Sequence, residues 1–309
     1  MSYPEIGVIG LHRGWSSRTL VEAFTALGRS AYLLDPAELV FDTEKNEVRC
    51  QGRNLAELDA IAIKKLGGDS ISTARARLHY LRYLQQRGVV IFPEINEIEQ
   101  VIDRVWNTVI MRDNEIPMPP TVITESPAEA AKFAVEMGDV ILKKVYSTQA
   151  RGMLRIQENS FDKALQIFTE HHQSGYRPLY VQKFVQTNGS DLGVYILNGE
   201  LMGAYRRVAP PGNWITSVRA GGKYEKAEVP PEAMEISLHA ASLFKSSFVG
   251  VDVAEGPEGF VVYEVSLFGG FRGLTETGCA NPAEIYAKYA LDRLEKATKA
   301  KQEKIKTAG

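Results

Sequence analysis

Residues 248–266 read FVGVDVAEGPEGFVVYEVS. Apolar residues alternate on either side of Pro257-Glu258-Gly259, which predicts two antiparallel strands joined by a three-residue loop. In such a loop Pro suits the second position of a type I turn and Gly the left-handed position that follows. The loop sets the register, so that Gly256 faces Phe260, Ala254 faces Val262, and Asp252 faces Glu264. Two carboxylates then share one face, while Val251, Val253, Tyr263 and Val265 share the other as a core-facing set. Like charges directly opposite each other on a sheet repel, so an ordinary surface hairpin gains nothing from this placement. Two readings stay open for these residues. They are solvated acids beside a turn, or they hold a hard divalent cation such as Mg²⁺, which takes carboxylate oxygens and completes its shell with phosphates and water.

The chain around this hairpin has 309 residues, beyond the size at which single cores stop growing, so two or three domains are expected. A hydrophobic share of 44% and a charged share of 24% place it among ordinary globular proteins. The formal charge of −2 argues against general attraction to nucleic acid or anionic membrane. Nothing near the start reads as a signal peptide and no apolar run has the length of a membrane span, so the expected location is the cytoplasm. Cys50 and Cys279 are too few for a disulfide framework and lack zinc-site spacing. The adjacent His171 and His172 point to different sides of a helix, which favours a surface helix over a metal pair.

Outward from the hairpin, the N-terminal region alternates strand and helix. Strands are expected at Ile6 to Gly10, Ala31 to Leu34, Asp59 to Lys64 and Val89 to Phe92. Helices are expected after a cap at Ser16 or Ser17, ending at Gly28, and from Ser70 to Gln86 with Leu78, Leu81 and Leu84 inward. That order makes a small parallel α/β domain. The loop Leu11-His12-Arg13-Gly14-Trp15 lies beyond a carboxyl end, where open parallel sheets bind ligands. His12 and Arg13 are substrate candidates there, with a plain loop around a packed Trp15 as the alternative. The three spaced glycines of a dinucleotide fingerprint are missing.

A helix near Glu97 to Arg112 and the turn Ile116-Pro117-Met118-Pro119-Pro120 open a second region. Strands at Val140 to Lys144, Gly152 to Ile156 and Leu179 to Phe184, with a helix at Phe161 to His172, make an α+β unit. Its small polar loop, Tyr146 to Gly152, offers backbone amides to phosphate oxygens, or is only a turn. The third region holds strands at Gly193 to Leu197 and Leu201 to Val208 around an Asn198-Gly199 hairpin. Arg206 and Arg207 face opposite sides of that sheet, so one points inward and must be paired, by a ligand phosphate or carboxylate or by a protein acid. A helix from Pro231 to Phe244 leads into the opening hairpin. A glycine-rich turn, Phe268 to Gly273, follows it, with Arg272 as a further substrate candidate. A helix near Pro282 to Leu294 closes the chain, and the Lys-rich end, 296–306, is expected to be a solvated helix end or a frayed tail.

With these pieces in order, the chain resembles the ATP-grasp superfamily, and within it the carboxylate–amine ligases like the ribosomal-protein-S6 glutamate ligase. The resemblance implies three regions: a parallel α/β domain at 1–96, a central lobe at 97–184, and a C-terminal lobe with the metal site at 185–309. It puts Lys143, of Ile141-Leu142-Lys143, at the strand lysine that contacts the nucleotide, and Thr148-Gln149 with Gly152 in the phosphate-covering loop. Gln182, Lys183, Phe184 and Val185 match the hinge whose backbone binds adenine, and Asp191 the acid that follows. Arg207 matches the arginine near the transferred phosphate, Gly221-Gly222 a glycine pair, and Asp252 and Glu264 the two metal-binding acids at the family's spacing.

The chain departs from the pattern at several points. Ser266 replaces the asparagine that supplies a third metal contact, Ile215-Thr216-Ser217 replaces an Arg-Ser-Asn segment, and Ala150 replaces a glycine. Arg104 stands where many relatives have lysine, and Arg219 can restore the lost positive charge near ATP. The resemblance implies an ATP-dependent ligase using Mg²⁺, with Mn²⁺ as a substitute. It would join an amino acid such as glutamate to a carboxylate on a protein, a carrier protein or a small coenzyme, through an acyl phosphate. Two alternatives stay open: a phosphotransferase on the same scaffold, and a nucleotide-binding regulator that has lost catalysis. No nucleic acid or membrane partner is expected, and homo-oligomer formation is left open.

Overall fold

The computed structural model describes residues 4–68, 70–147 and 150–308. The chain divides into two compact units. The first is Met1–Glu99 with Ser246–Phe248 and Phe268–Gly309, and the second is Gln100–Lys245 with Val249–Leu267.

The first unit begins β1 (Glu5–Ile9), α1 (Trp15–Ala26), β2 (Ser30–Leu34), β3 (Val40–Asp42), β4 (Glu47–Cys50), β5 (Arg53–Asn54), β6 (Ala60–Ile63), α2 (Ile71–Gln86) and β7 (Val90–Phe92), and the stretch ends within α3 (Ile95–Val101). Strands β2, β1, β6 and β7 pair in that order, all parallel. Ile6, Val8 and Ile9 of β1 and every residue of β6 are buried, the continuous apolar pattern of strands covered on both faces. The four strands expected in the N-terminal region therefore form one parallel sheet. Ser70 caps α2, its Oγ accepting from the Thr73 amide at 3.2 Å, and Leu78, Leu81 and Leu84 are buried as expected. The cap of α1 differs: Gly14 occupies it, and Ser16 and Ser17 fall inside the first turn. A second small sheet, β3-β4-β5, was not expected, because strands this short carry too few residues for a period-2 signal.

The single helix expected over Glu97 to Arg112 is broken. After α3 the chain restarts as α4 (Arg104–Asp113), capped by Asp103, whose Oδ1 accepts from the Val105 and Trp106 amides at 2.9 and 3.3 Å. This cap makes Arg104 the first helical residue.

The second unit continues with β8 (Thr121–Thr124), α5 (Pro127–Met137), β9 (Val140–Lys143), β10 (Leu154–Ile156), α6 (Phe161–Gln173) and β11 (Leu179–Lys183). Its antiparallel sheet runs β10-β9-β11-β8, and Ala130, Ala134, Leu142, Phe168 and Val181 form the core between it and the helices. A five-stranded sheet follows from β12 (Ser190–Leu197), β13 (Glu200–Val208), β14 (Lys223–Lys226), then α7 (Pro231–Ser242), β15 (Phe248–Gly256) and β16 (Gly259–Ser266), in the order β14-β13-β12-β15-β16. Asn198 and Gly199 have φ of 52° and 83°, the left-handed pair that a two-residue hairpin requires.

The β15–β16 hairpin corrects the expected register and explains why the acids still meet. Its loop is two residues long, Pro257-Glu258, between paired Gly256 and Gly259. Ala254 consequently faces Val261, not Val262, and Phe260 faces Glu255, not Gly256. A β-bulge between Asp252 and Val253 then adds one residue on β16, so that Asp252 faces Glu264 and Gly250 faces Ser266. Two one-residue differences cancel before the acids are reached. The extra residue is Tyr263.

The chain returns to the first unit as α8 (Arg272–Glu276) and α9 (Pro282–Ala308). Helix α9 packs against α1 and runs well past the expected end at Leu294. The pairs Glu284–Lys288, Asp292–Lys296 and Glu295–Lys299 support it at i,i+4 spacing. Among the described residues no helix is long and apolar enough to cross a membrane.

Candidate active site

On β12, alternation puts Asp191, Gly193 and Tyr195 on one face. Pairing then sets Arg207 opposite Asp191 and Tyr205 opposite Gly193 on β13. The Arg207 guanidinium is bidentate on Asp191, with Nε to Oδ1 at 3.0 Å and Nη2 to Oδ2, and the same Nη2 lies 3.0 Å from Asp252 Oδ2. Arg206 points the other way and is exposed. Of the two partners left open for the inward arginine, protein acids are the ones present. Burial alone would lower the Arg207 pKa, but Asp252 and Asp191 hold it well above its ordinary value. Gly193 and Gly250 leave room for the rings of Tyr205 and Tyr195. The hydroxyls of those tyrosines meet at 2.9 Å and floor the same face.

Glu264 has an arginine of its own. Arg104 Nη2 donates to Glu264 Oε2 at 2.9 Å, and Nη1 donates to the Lys144 carbonyl. The like-charge repulsion of Asp252 and Glu264 is thus opposed by one guanidinium beside each acid, which neither of the two readings left open by the sequence pattern includes. Relief is incomplete at Asp252, whose pKa rises to about 6. Burial is the main cause, Arg207 opposes it, and the charges of Asp191 and Glu264 add to it.

Lys143, at the end of β9, is buried and donates from Nζ to Gln182 Oε1 at 2.5 Å, while Gln182 Nε2 donates to Thr121 Oγ1 at 2.9 Å. Burial and then the Arg104 charge bring the Lys143 pKa down to about 7, with Glu264 and Asp252 pulling the other way. The ring of Tyr263 lies 5.5 Å from Lys143 Nζ. Sequence alternation assigned Tyr263 to the core face with Val251, Val253 and Val265. Those three are buried, but the bulge re-aims Tyr263, and it is the residue at this site that alternation misses.

The hinge residues lie on and after β11. The Lys183 and Phe184 amides donate to the Pro120 and Asp139 carbonyls at 2.8 and 2.9 Å, whereas the Val185 amide makes no hydrogen bond among the described residues. The Phe184 ring has the Arg155 guanidinium 3.7 Å from its centroid and meets Trp214 edge-on at 6.0 Å. Arg219 is exposed in a short 3-10 turn. Thr148 and Gln149 lie outside the described residues. His12, Arg13 and Arg272 belong to the first unit. His12 hydrogen-bonds Gln51 at 3.1 Å, Arg13 is exposed, and Arg272 pairs with Glu276.

Among the described residues no group of three or more His, Cys, Asp and Glu is arranged to hold a metal. The oxygens that suit a hard cation are the two carboxylates and the Ser266 hydroxyl on the same face as Glu264. Two carboxylates and a hydroxyl on one face are hard oxygen donors, so the donor set fits a magnesium ion that brings further oxygen ligands with it.

Residues 101–287 match the family model described as a RimK-like ATP-grasp domain. The chain is 29% identical over 234 residues to the tetrahydromethanopterin:alpha-L-glutamate ligase of Methanocaldococcus jannaschii, covering 74% of this chain and 78% of that one. It is 23% identical over 310 residues to the protein of the same name from Methanosarcina acetivorans, covering 89% and 94%. Among solved structures, the ATP-grasp ligase PsnB in complex with a phosphomimetic variant of its minimal precursor, Mg and ADP superposes with a TM-score of 0.70 at 19% identity. That match covers 94% of this chain and 98% of that one.

Proposed function

The chain belongs to the RimK-like ATP-grasp family, and from that membership we propose that this ATP-dependent ligase joins L-glutamate to a carboxylate on a small coenzyme-like acceptor. The observation that carries the reading is the single face on which Asp252 and Glu264 stand opposed beside Arg207. The names of the similar methanogen proteins support glutamate as the amine and a pterin as the kind of acceptor.

In this reading ATP lies between the lobes 97–184 and 185–309. Its base meets the backbone after β11 near Val185, with Phe184 and Trp214 as apolar walls, and Thr148, Gln149 and Arg219 serve the phosphates. Lys143 and Arg104 face the phosphate chain as fixed positive charges. Arg207, its fork held by Asp191 and Asp252, serves as a fixed positive charge beside the phosphoryl group in transit, and such preorganised charge needs no rearrangement during transfer. Asp252, Glu264 and Ser266 would hold Mg²⁺, or Mn²⁺ in its place, which supplies neutralisation of the phosphate charge. The acceptor carboxylate displaces ADP from the γ-phosphorus to give an acyl phosphate. Glutamate nitrogen then attacks the acyl carbon, releasing phosphate. His12, Arg13 and Arg272 are the residues assigned to the anionic substrates.

The test is incubation of the purified protein with MgATP, isotope-labelled glutamate and a cell-extract metabolite fraction. The expected result is a labelled small molecule heavier than its precursor by one glutamyl residue. Label in no product across such fractions, with ATP bound, would instead favour the catalytically silent regulator.

A further inference from the structure

Lys64 follows β6 at the carboxyl end of the parallel sheet and is 4% exposed. Its Nζ donates to the Gly269 carbonyl and lies 3.9 Å from the centroid of the Phe271 ring and 4.9 Å from that of Phe248. No acid among the described residues lies within ion-pairing distance of it. A buried ammonium lacking an anion is costly, and methionine would fill the same space without that cost. The cation is therefore retained for what it touches.

What it touches are the two chain ends of the hairpin that carries Asp252 and Glu264. Phe248 is the first residue of β15, and Gly269 and Phe271 follow the last residue of β16. Each end has a second fastening in the same unit. At the entrance, Glu97 Oε2 accepts from Ser246 Oγ, the Ser247 amide and Ser247 Oγ at 3.1, 3.1 and 3.0 Å. At the exit, Ser16 Oγ accepts from the Phe271 amide at 2.9 Å. Of these residues only Lys64 reaches both ends.

We propose that Lys64 is a positioning residue, a clasp that closes the base of the acid-bearing hairpin and fixes the turn Phe268–Phe271 that leaves it. The consequence for chemistry rests on the ligase reading above, since that turn leads directly from Ser266 to Arg272. Among the described residues, the other titratable groups facing the cluster are Lys65, Glu97 on α3 and Tyr286 on α9, whose ring packs against Phe248 and Phe271. Burial, with a contribution from Lys65, already brings the Lys64 pKa to about 7. Its hold on the rings therefore weakens as the pH rises past neutrality, while the amine still donates to Gly269.

The experiment is amide hydrogen exchange on the full chain as wild type, Lys64→Met and Lys64→Arg, read on peptides covering 246–250, 267–272 and, as a reference, 140–143. Lys64→Met is expected to speed exchange about tenfold in the first two segments only, and Lys64→Arg to restore part of the protection. In turnover, Lys64→Met is expected to lower kcat about tenfold with the dissociation constant for MgATP within about twofold. Unchanged exchange at both hairpin ends, or uniform acceleration across all three segments, overturns the proposal. If Lys64→Met does not fold, Lys64→Gln takes its place, a neutral side chain that can still donate to the Gly269 carbonyl. That variant should speed exchange at 246–250, where Lys64 acts through its charge on the Phe248 ring, and no change there overturns the proposal equally. The exchange measurement needs no acceptor, so a clasp that behaves as expected in a protein that forms no amide would refute the ligase reading alone.

Discussion

Arg207 stands between two carboxylates, and the consequence of replacing it depends on what is left behind. Arg207→Ala would leave Asp191, which is only 8% exposed, buried without its counter-charge, a loss of about 3–5 kcal/mol of stability. Arg207→Lys keeps a charge there and removes the fork. It should leave the melting temperature nearly unchanged while lowering kcat about a hundredfold, as steady-state kinetics beside thermal unfolding would reveal. An equal loss in ATP affinity would assign Arg207 to ground-state binding instead. Lys64 and Lys143 make a separate prediction. Both pKa values are depressed to about 7 in the folded chain by burial. Between pH 7 and 10 the unfolded chain thus binds more protons, and stability rises with pH. Urea unfolding across that range should give a slope that is shallower in Lys64→Met by about 1.4 kcal/mol per pH unit, one proton's share. At this scale the sequence pattern reached Asp252 and Glu264 through strand alternation. It could not reach the Arg104–Glu264 pair, whose members are 160 residues apart.

The hairpin β15–β16 shows how an element can be read correctly for reasons that need amending. Pro257 and Gly259 signalled a turn, but composition does not separate a two-residue loop from a three-residue one, and a bulge leaves no signature in alternating apolar residues. Deleting Tyr263 should remove the bulge while leaving Asp252 opposite Glu264. The expected variant melts cooperatively but loses the ring beside Lys143, weakening ATP binding by about tenfold, which calorimetry can measure. Absent or non-cooperative melting would mean that the bulge serves the fold itself. In the neighbouring four-stranded sheet, Phe168 is fully buried on α6, and Phe168→Ala should cost about 3–5 kcal/mol in denaturant unfolding. Longer elements such as α2 and β12 were legible because their periodicity extends over several turns or pleats. The break before Arg104 was not, since Asp103 is one polar residue in a helical pattern until its cap geometry is seen.

For the whole molecule, the order of motifs from Lys143 to Glu264 carried the fold, and family membership agrees with it. The acceptor is not encoded in the same way. It would be met by loops around His12, Arg13 and Arg272, where neither periodicity nor spacing constrains the residues. The central claim is that the paired acids and Arg207 serve amide formation, and the direct test is stoichiometry. Free phosphate and glutamate incorporated into acceptor should be measured together in wild type and in Glu264→Gln. The prediction is one phosphate released per amide formed by the wild type, and neither by the variant. Phosphorylated acceptor without free phosphate, or undiminished turnover in Glu264→Gln, would contradict it.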